Sequence, residues 1–241
     1  MKTLVVYVFH QYNTRVQHFL DKAIFQANDV EFVVVANDPG ASIAVPDYVT
    51  LLKRDNVGFD FGAWSHAIFD NERYSKYDNF IFVNSSVMGP YMPTGCTKRW
   101  TDLYIDGLTE DIKLFGSTIN TIYSPRTKSH VQSYIFSMNQ ETLRFLMSHG
   151  IFSIMDHTQT MGETIVGREI MMSRLVIANG WNIGCLMNLY KGVDFRFTNR
   201  TPESYGIQFA GDMIRPEHFR SGFFSGYSEI VFVKGNRLNI P

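Results

Sequence analysis

The stretch from Arg54 to Pro90 constrains the fold most. It holds a short, wholly apolar run, Phe80-Ile81-Phe82-Val83, which reads as a strand buried on both faces. Small polar residues, Asn84-Ser85-Ser86, follow directly. About one helix upstream lies Asn56-Val57-Gly58-Phe59-Asp60-Phe61-Gly62, a loop with two glycines. Strands buried on both faces belong to parallel sheets covered by helices. Ligands of such sheets bind outside the carboxyl ends of the strands. Gly58 and Gly62 permit a tight backbone and close ligand approach. A helix from about Ala63 to Asp70 would then aim its N-terminal amides at an anion.

The flanking sequence supplies the rest of a sheet. Thr3 to Phe9 and Val30 to Ala36 are apolar runs, and Tyr48 to Lys53 leads into the glycine loop. Thr14 to Gln26 has a helical rhythm at Val16, Phe19, Leu20, Ala23 and Ile24. The order β-α-β-β-α-β predicts an α/β fold, with a mostly parallel central sheet and helices on both faces. After Pro90 the rhythm changes. Helices are expected over Trp100 to Leu108, Asn139 to His149 (capped by Asn139, stopped by Gly150) and Glu163 to Asn179 (closed by Gly180). Strands are expected over Ile112 to Ser117, His130 to Met138, Trp181 to Met187 and Glu229 to Lys234. Thr121 to Ser129, with Arg126 and Lys128, reads as a polar loop, and Asn199 to Ser225 as irregular. One domain over 1–241 is expected. Residues 1–90 form its nucleotide-binding half and 91–241 the half that holds a second substrate and the catalytic residues.

Composition narrows the partners. A 45% hydrophobic and 15% aromatic chain can bury a substantial core. A formal net charge of −1 provides no global field to recruit nucleic acid, and the aromatics are not interleaved with basic clusters. Two cysteines, Cys96 and Cys185, are too few for a disulfide framework and suit a reducing, cytoplasmic compartment. No apolar run reaches the length of a membrane span. Met1 to Phe9 reads as a first strand, not as a signal peptide.

Several residues are candidates for a site. Asn37-Asp38 ends the second strand; Asp38 is placed to accept from a ribose hydroxyl or a base N–H, or to bond its own backbone in the Pro39-Gly40 turn. His10 and Tyr12 follow the first strand and are placed to line the same cleft, the tyrosine ring stacking on a base. Asp60, between two phenylalanines and two glycines, needs partners if buried; the plainer alternative is a cap for the helix after it. Asn84, Ser85 and Ser86 offer oxygens to a diphosphate or a cation, or simply end a strand. Glu163 and Glu169 are about 120° apart on one helix, so they do not share a face. The apolar Ile170-Met171-Met172 beside Glu169 suggests burial, which would raise its pKa toward that of a general base. Asp194, with Arg196 beside it, is the second candidate base. His130 and Gln132 fall on one side of a strand and can reach a sugar or diphosphate, or neighbouring backbone. Lys234 and Arg237 can neutralise a diphosphate.

No Cys/His metal spacing, P-loop, GxSxG or GxGxxG occurs. What does occur, in order, is Asn56-x-Gly58-x-Asp60-x-Gly62; Tyr77-Asp78-x-Phe80-Ile81-Phe82-x-Asn84-Ser85-Ser86 with Gly89-Pro90; His130-Val131-Gln132-Ser133-Tyr134; and Glu169-Ile170 before Gly180-Trp181. This series resembles the rhamnan synthesis protein F family and related short glycosyltransferase domains of large algal viruses and plants, from about His10 to Arg237. The resemblance implies a GT-A-type fold and transfer of a hexose, such as rhamnose or glucose, from a nucleotide-diphosphate sugar to a glycan acceptor. It implies nucleoside contact at Asp38, diphosphate and metal contact at Asn84 to Ser86, and an inverting base at Glu169. Such enzymes commonly hold Mn²⁺ or Mg²⁺ with two aspartates. Here the resemblance puts Asn84 and Ser86 at that place; their oxygens can join a coordination shell or bond the diphosphate directly, although hard cations prefer carboxylates.

Two other classes compete. A non-catalytic sugar-nucleotide or glycan-binding module of a larger synthase would explain the missing aspartates. A nucleotidyltransferase uses a similar sheet but needs a Gly-rich, basic loop after its first strand, and His10-Gln11-Tyr12-Asn13 is not one. With its two cysteines reduced, the chain is expected in the cytoplasm, and in the host cytoplasm if it is viral.

Overall fold

All seven side chains of Thr3–Phe9 (β1) are buried, which only a strand covered on both faces achieves. In the computed structural model, which describes residues 1–121, 129–206, 211, 212, 214 and 224–238, β1 lies inside a seven-stranded sheet. Its neighbours are Val30–Ala36 (β2) and Asn79–Asn84 (β4), both parallel to it, and Val49–Lys53 (β3) pairs parallel to β2 at the edge. On the other side of β4, Ile135–Asn139 (β9) runs antiparallel between β4 and Ile112–Gly116 (β6). Asn182–Cys185 (β10) closes that edge, parallel to β6. Strands from both sides of Pro90 thus share one sheet, of order β10-β6-β9-β4-β1-β2-β3.

Alternation along each strand divides the core between two faces. Phe82 and Phe136 point to one face and meet Trp64 of Phe59–Phe69 (α2) and Phe152. Tyr7 points to the other and stacks on Phe19 of Thr14–Lys22 (α1), ring centroids 3.9 Å apart. Trp100 and Tyr104 of Trp100–Asp106 (α3) join that face with Phe232. Gln140–Ser148 (α4) and Met171–Ala178 (α6) complete the α2 side. The result is an α/β/α three-layer fold of GT-A-like architecture. Trp64 is fully buried and donates Nε1–H to the Val83 carbonyl at 3.3 Å, tying α2 to β4.

Several boundaries differ from the sequence expectation, each for a local reason. α1 ends at Lys22, and Ala23 is its C-cap. α2 begins at Phe59, not Ala63, because Gly58 at φ 73° makes the chain turn directly into the helix. Asp60 therefore sits in the first turn of α2, not in a loop before it. The expected strand His130 to Met138 breaks into His130–Val131 (β8) and β9, with Gln132 to Tyr134 turning between them. β8 pairs with Ile119–Asn120 (β7) instead of with the main sheet. The expected helix from Glu163 is Met161–Thr164 (α5), a π-helical segment Ile165–Ile170, then α6. Near the C-terminus, Tyr227–Ile230 is one helical turn, and only Val233–Lys234 (β11) is strand, antiparallel to Val87–Met88 (β5). Arg126 and Lys128, and much of 199–225, lie outside the described residues.

Candidate active site

A cleft of about 790 Å³ opens at the carboxyl ends of β1 and β4, where a ligand site is expected. One wall is the N-terminus of α2. Buried Asn37, just past β2, fixes it by donating Nδ2–H to the Phe59 carbonyl at 3.3 Å. Arg54 donates to Asn37 Oδ1 at 2.9 Å and to the Val57 carbonyl at 2.7 Å. His10 Nδ1 lies 2.8 Å from the Asn37 carbonyl and so carries a proton there. Gly62 does not line the cleft; a Cβ on it would stand 2.1 Å from the Val57 carbonyl oxygen. Its expected role in close ligand approach becomes close backbone packing.

The result of this scaffold is a fixed Asp60. Its Oδ2 accepts from Asn84 Nδ2 at 2.9 Å, joining α2 to the end of β4. Asn84 Oδ1 in turn accepts from Ser86 N at 3.0 Å and Ser86 Oγ at 2.6 Å. Burial pushes the Asp60 pKa up to about 6; the Asn84 hydrogen bond opposes this and the Glu169 charge adds to it.

The opposite wall carries Glu169, in the π-helical segment. A π turn displaces the helical register, and such turns recur at functional sites. Here the neighbours Arg168 and Glu169 face different surroundings. Arg168 donates to the carbonyls of Gly150 and Asp156, while Glu169 enters the cleft. Its Oε1 lies 3.3 Å from His130 Nε2, and Oε2 accepts from Ser133 N at 3.1 Å and from the Ser133 hydroxyl. Burial raises the Glu169 pKa, but the hydrogen bonds from His130 and Ser133 and the charges of His130 and Lys234 outweigh it. The net shift is downward, opposite to the sequence expectation. Glu169 is a buried carboxylate held ionised.

Lys234 and Arg237 close the mouth beside Ser85 and Ser86. Burial lowers the Lys234 pKa against the charge of Glu169, and its ammonium sits 5.7 Å from the Tyr134 ring centroid. Arg237 pairs with Asp212. Gln132 lines the cleft too; its amide accepts from Thr118 at 2.7 Å and donates to Asp212 at 3.3 Å.

Besides Gly62, three expected residues lie elsewhere. Asp38 is exposed and accepts from Gly40 N at 2.9 Å, the self-bonded turn. Tyr12 is 49% exposed and donates to Gln17, away from the cleft lining. Asp194 is bound by Arg196 at 2.8 Å beside β10 and does not line the cleft. The Arg196 hydrogen bond pulls its pKa down, against burial, so it is no base for this site. Reading the sequence missed Ser133, the Arg54 clamp and Asn120. Asn120 lines the cleft, and its buried Oδ1 has no hydrogen-bond partner among the described residues. Ser133 stands inside the His130-Val131-Gln132-Ser133-Tyr134 motif, whereas a lone Asn or Arg has no periodic signal.

The side-chain oxygens at the β4 exit that correspond to a metal motif are those of Asn84 and Ser86, already bonded to each other. No group of three His, Cys, Asp or Glu suited to a metal occurs among the described residues. No helix among them is long and apolar enough to cross a membrane.

Comparison with known proteins agrees with the geometry. No curated protein matches the chain. The sequence model of the family described as Rhamnan synthesis protein F matches residues 41–207, a span that includes Asp60, Asn84, His130, Ser133 and Glu169. That span is well over half of the chain, which therefore belongs to the rhamnan synthesis protein F family, with a glycosyltransferase-related role in polysaccharide synthesis.

Proposed function

We propose that the protein is an inverting glycosyltransferase acting in the cytoplasm. It moves a hexosyl group, rhamnosyl or glucosyl, from a nucleotide-diphosphate sugar to a glycan hydroxyl. The observation that carries this reading is the ionised Glu169 facing Asp60 and Asn84 across one cleft at the strand ends. Residues up to Pro90 hold the donor, with its diphosphate beside Asn84, Ser85 and Ser86. The later residues hold the acceptor against Glu169, with His130 and Gln132 beside it.

In the reaction the acceptor oxygen attacks the anomeric carbon from the face opposite the leaving group. The new C–O bond forms as the bond to the β-phosphate oxygen breaks. The electron pair leaves with the nucleoside diphosphate, and Glu169 takes the acceptor proton. Positioning and charge stabilisation at the leaving oxygen lower the barrier. His130 and Ser133 fix the carboxylate and keep it charged, so it is ready to accept a proton at neutral pH.

A second reading, a non-catalytic sugar-nucleotide or glycan-binding module, is favoured by the β4 exit, where Asn84 and Ser86 bond each other and the Asp60 carboxylate already accepts from Asn84. Incubation with UDP-, dTDP- and GDP-sugars separates the two. Slow release of the nucleoside diphosphate from one donor, lost in Glu169→Gln, supports the enzyme. A donor that raises thermal stability but is never cleaved, even with acceptor glycans and Mn²⁺, leaves the binding module.

A further inference from the structure

We propose that the Lys234 ammonium takes the place of a divalent cation at the leaving diphosphate, so that donor binding and transfer need no metal. This rests on the glycosyltransferase reading above and adds how the leaving group is neutralised.

The first support is the closed state of the place where a metal would be held. Asn84 Oδ1 already accepts twice from Ser86, and Asn84 Nδ2 is committed to Asp60. The backbone of the same loop is also occupied: the Ser85 carbonyl accepts from Arg15 Nε at 3.2 Å and the Ser86 carbonyl from Gly235 N at 2.8 Å. A hard cation at this point would have to break several of these bonds for amide and hydroxyl ligands, which it binds poorly.

The second support is the way Lys234 is delivered. β11 is only two residues long, yet it pairs with β5 immediately after the Asn84–Ser86 loop, with Lys234 opposite Val87. That pairing brings a mostly buried ammonium into the cleft beside Ser86. The groups that face it are Glu169, Asp60 and Asp212, with Arg237 as the like charge. Arg237 is held by Asp212, whereas the Lys234 charge acts on both cleft carboxylates, Glu169 and Asp60. A divalent ion at the same place would be repelled by that ammonium. A lysine binds phosphate as a point charge, and in a water-poor cleft it stabilises a leaving phosphate oxygen without prior reorganisation.

The test is titration calorimetry of the whole chain with UDP, dTDP and GDP, each in EDTA and again in MnCl₂. The expected result is binding of at least one diphosphate with dissociation constants in the two buffers agreeing within about twofold, and Lys234→Met binding it about tenfold or more weakly. Lys234→Arg should retain part of the affinity. Binding that is about tenfold tighter in Mn²⁺ than in EDTA overturns the proposal on the wild-type protein alone, whatever the variants do. Unchanged affinity in a folded Lys234→Met protein also overturns it. If no diphosphate binds in either buffer, the nucleotide-sugar reading itself fails and the lysine role falls with it.

Discussion

Glu169 Oε1 lies 3.3 Å from His130 Nε2, a contact that joins the π-helical segment to the two-residue strand β8. It holds a nearly buried carboxylate in its charged form. Glu169→Gln keeps the shape and removes the base, so turnover should fall about 10²–10⁴-fold while donor binding stays within a few-fold. Steady-state kinetics on the cleaved donor measure both. Turnover within a few-fold of wild type removes Glu169 from the role.

Replacing His130 acts through Glu169. His130→Leu takes away the hydrogen bond and the charge that lower the Glu169 pKa, so that pKa should rise. The base must be ionised to work, so the acid limb of the kcat profile should move to higher pH. A limb that stays in place means the contact does not tune the base.

Asp60 shifts the other way. Its folded pKa, about 6, lies above the ordinary 3.8, so the stabilising preference for the proton is present below about pH 4 and is lost as pH rises through 6. Asp60→Asn, neutral at every pH, should therefore be more stable than wild type above about pH 7, by about 1–2 kcal/mol after discounting for solvent, and equal to it near pH 4. Wild-type affinity for an anionic donor should fall as pH rises through about 6, and the variant should lose that dependence. Thermal melts and calorimetry across pH decide both.

Much of this was legible in the sequence, for definite reasons. β1, β2 and β4 announce themselves because their buried positions are apolar, apart from Thr3 and Asn79 at the first residues of β1 and β4. Asn139 and Gly150 mark the ends of α4 through groups that cap by their own chemistry, the Asn139 side chain accepting from Thr142 N. The start of α2 is hidden in the sequence because Gly58, in a left-handed conformation, has the look of a loop residue. The π turn at Glu169 has no periodic signature, and the pKa direction depends on His130 and Ser133, which are distant in sequence. The sequence marks Lys234 as a charge able to neutralise a diphosphate, but its place in the cleft comes from pairing with β5, a contact that no local pattern encodes.

Gly62 tests how the scaffold supports Asp60. A Cβ there would stand 2.1 Å from the Val57 carbonyl oxygen, which itself accepts from Arg54. Gly62→Ala must push the Val57 turn away from α2, at about 1–3 kcal/mol. The melting temperature should drop, and donor affinity should fall with it because the Asn37–Phe59 bond moves. A melting temperature equal to wild type would show that this turn yields freely.

Asn120 offers the cleanest separation of binding from folding. Its Oδ1 is buried in the cleft wall without a hydrogen-bond partner among the described residues, directly across the β7–β8 pair from His130. A buried acceptor left unpaired costs stability in the free protein, a cost that a ligand O–H or N–H removes. Since His130 sits beside the base, the group that reaches Asn120 belongs to the acceptor or the transferred sugar, not to the nucleoside. Asn120→Ala should leave the melting temperature unchanged or slightly higher. It should lower kcat/KM about three- to tenfold, the worth of one hydrogen bond, while affinity for the bare nucleoside diphosphate is untouched. A parallel loss of diphosphate affinity would place Asn120 on the donor's nucleotide end instead.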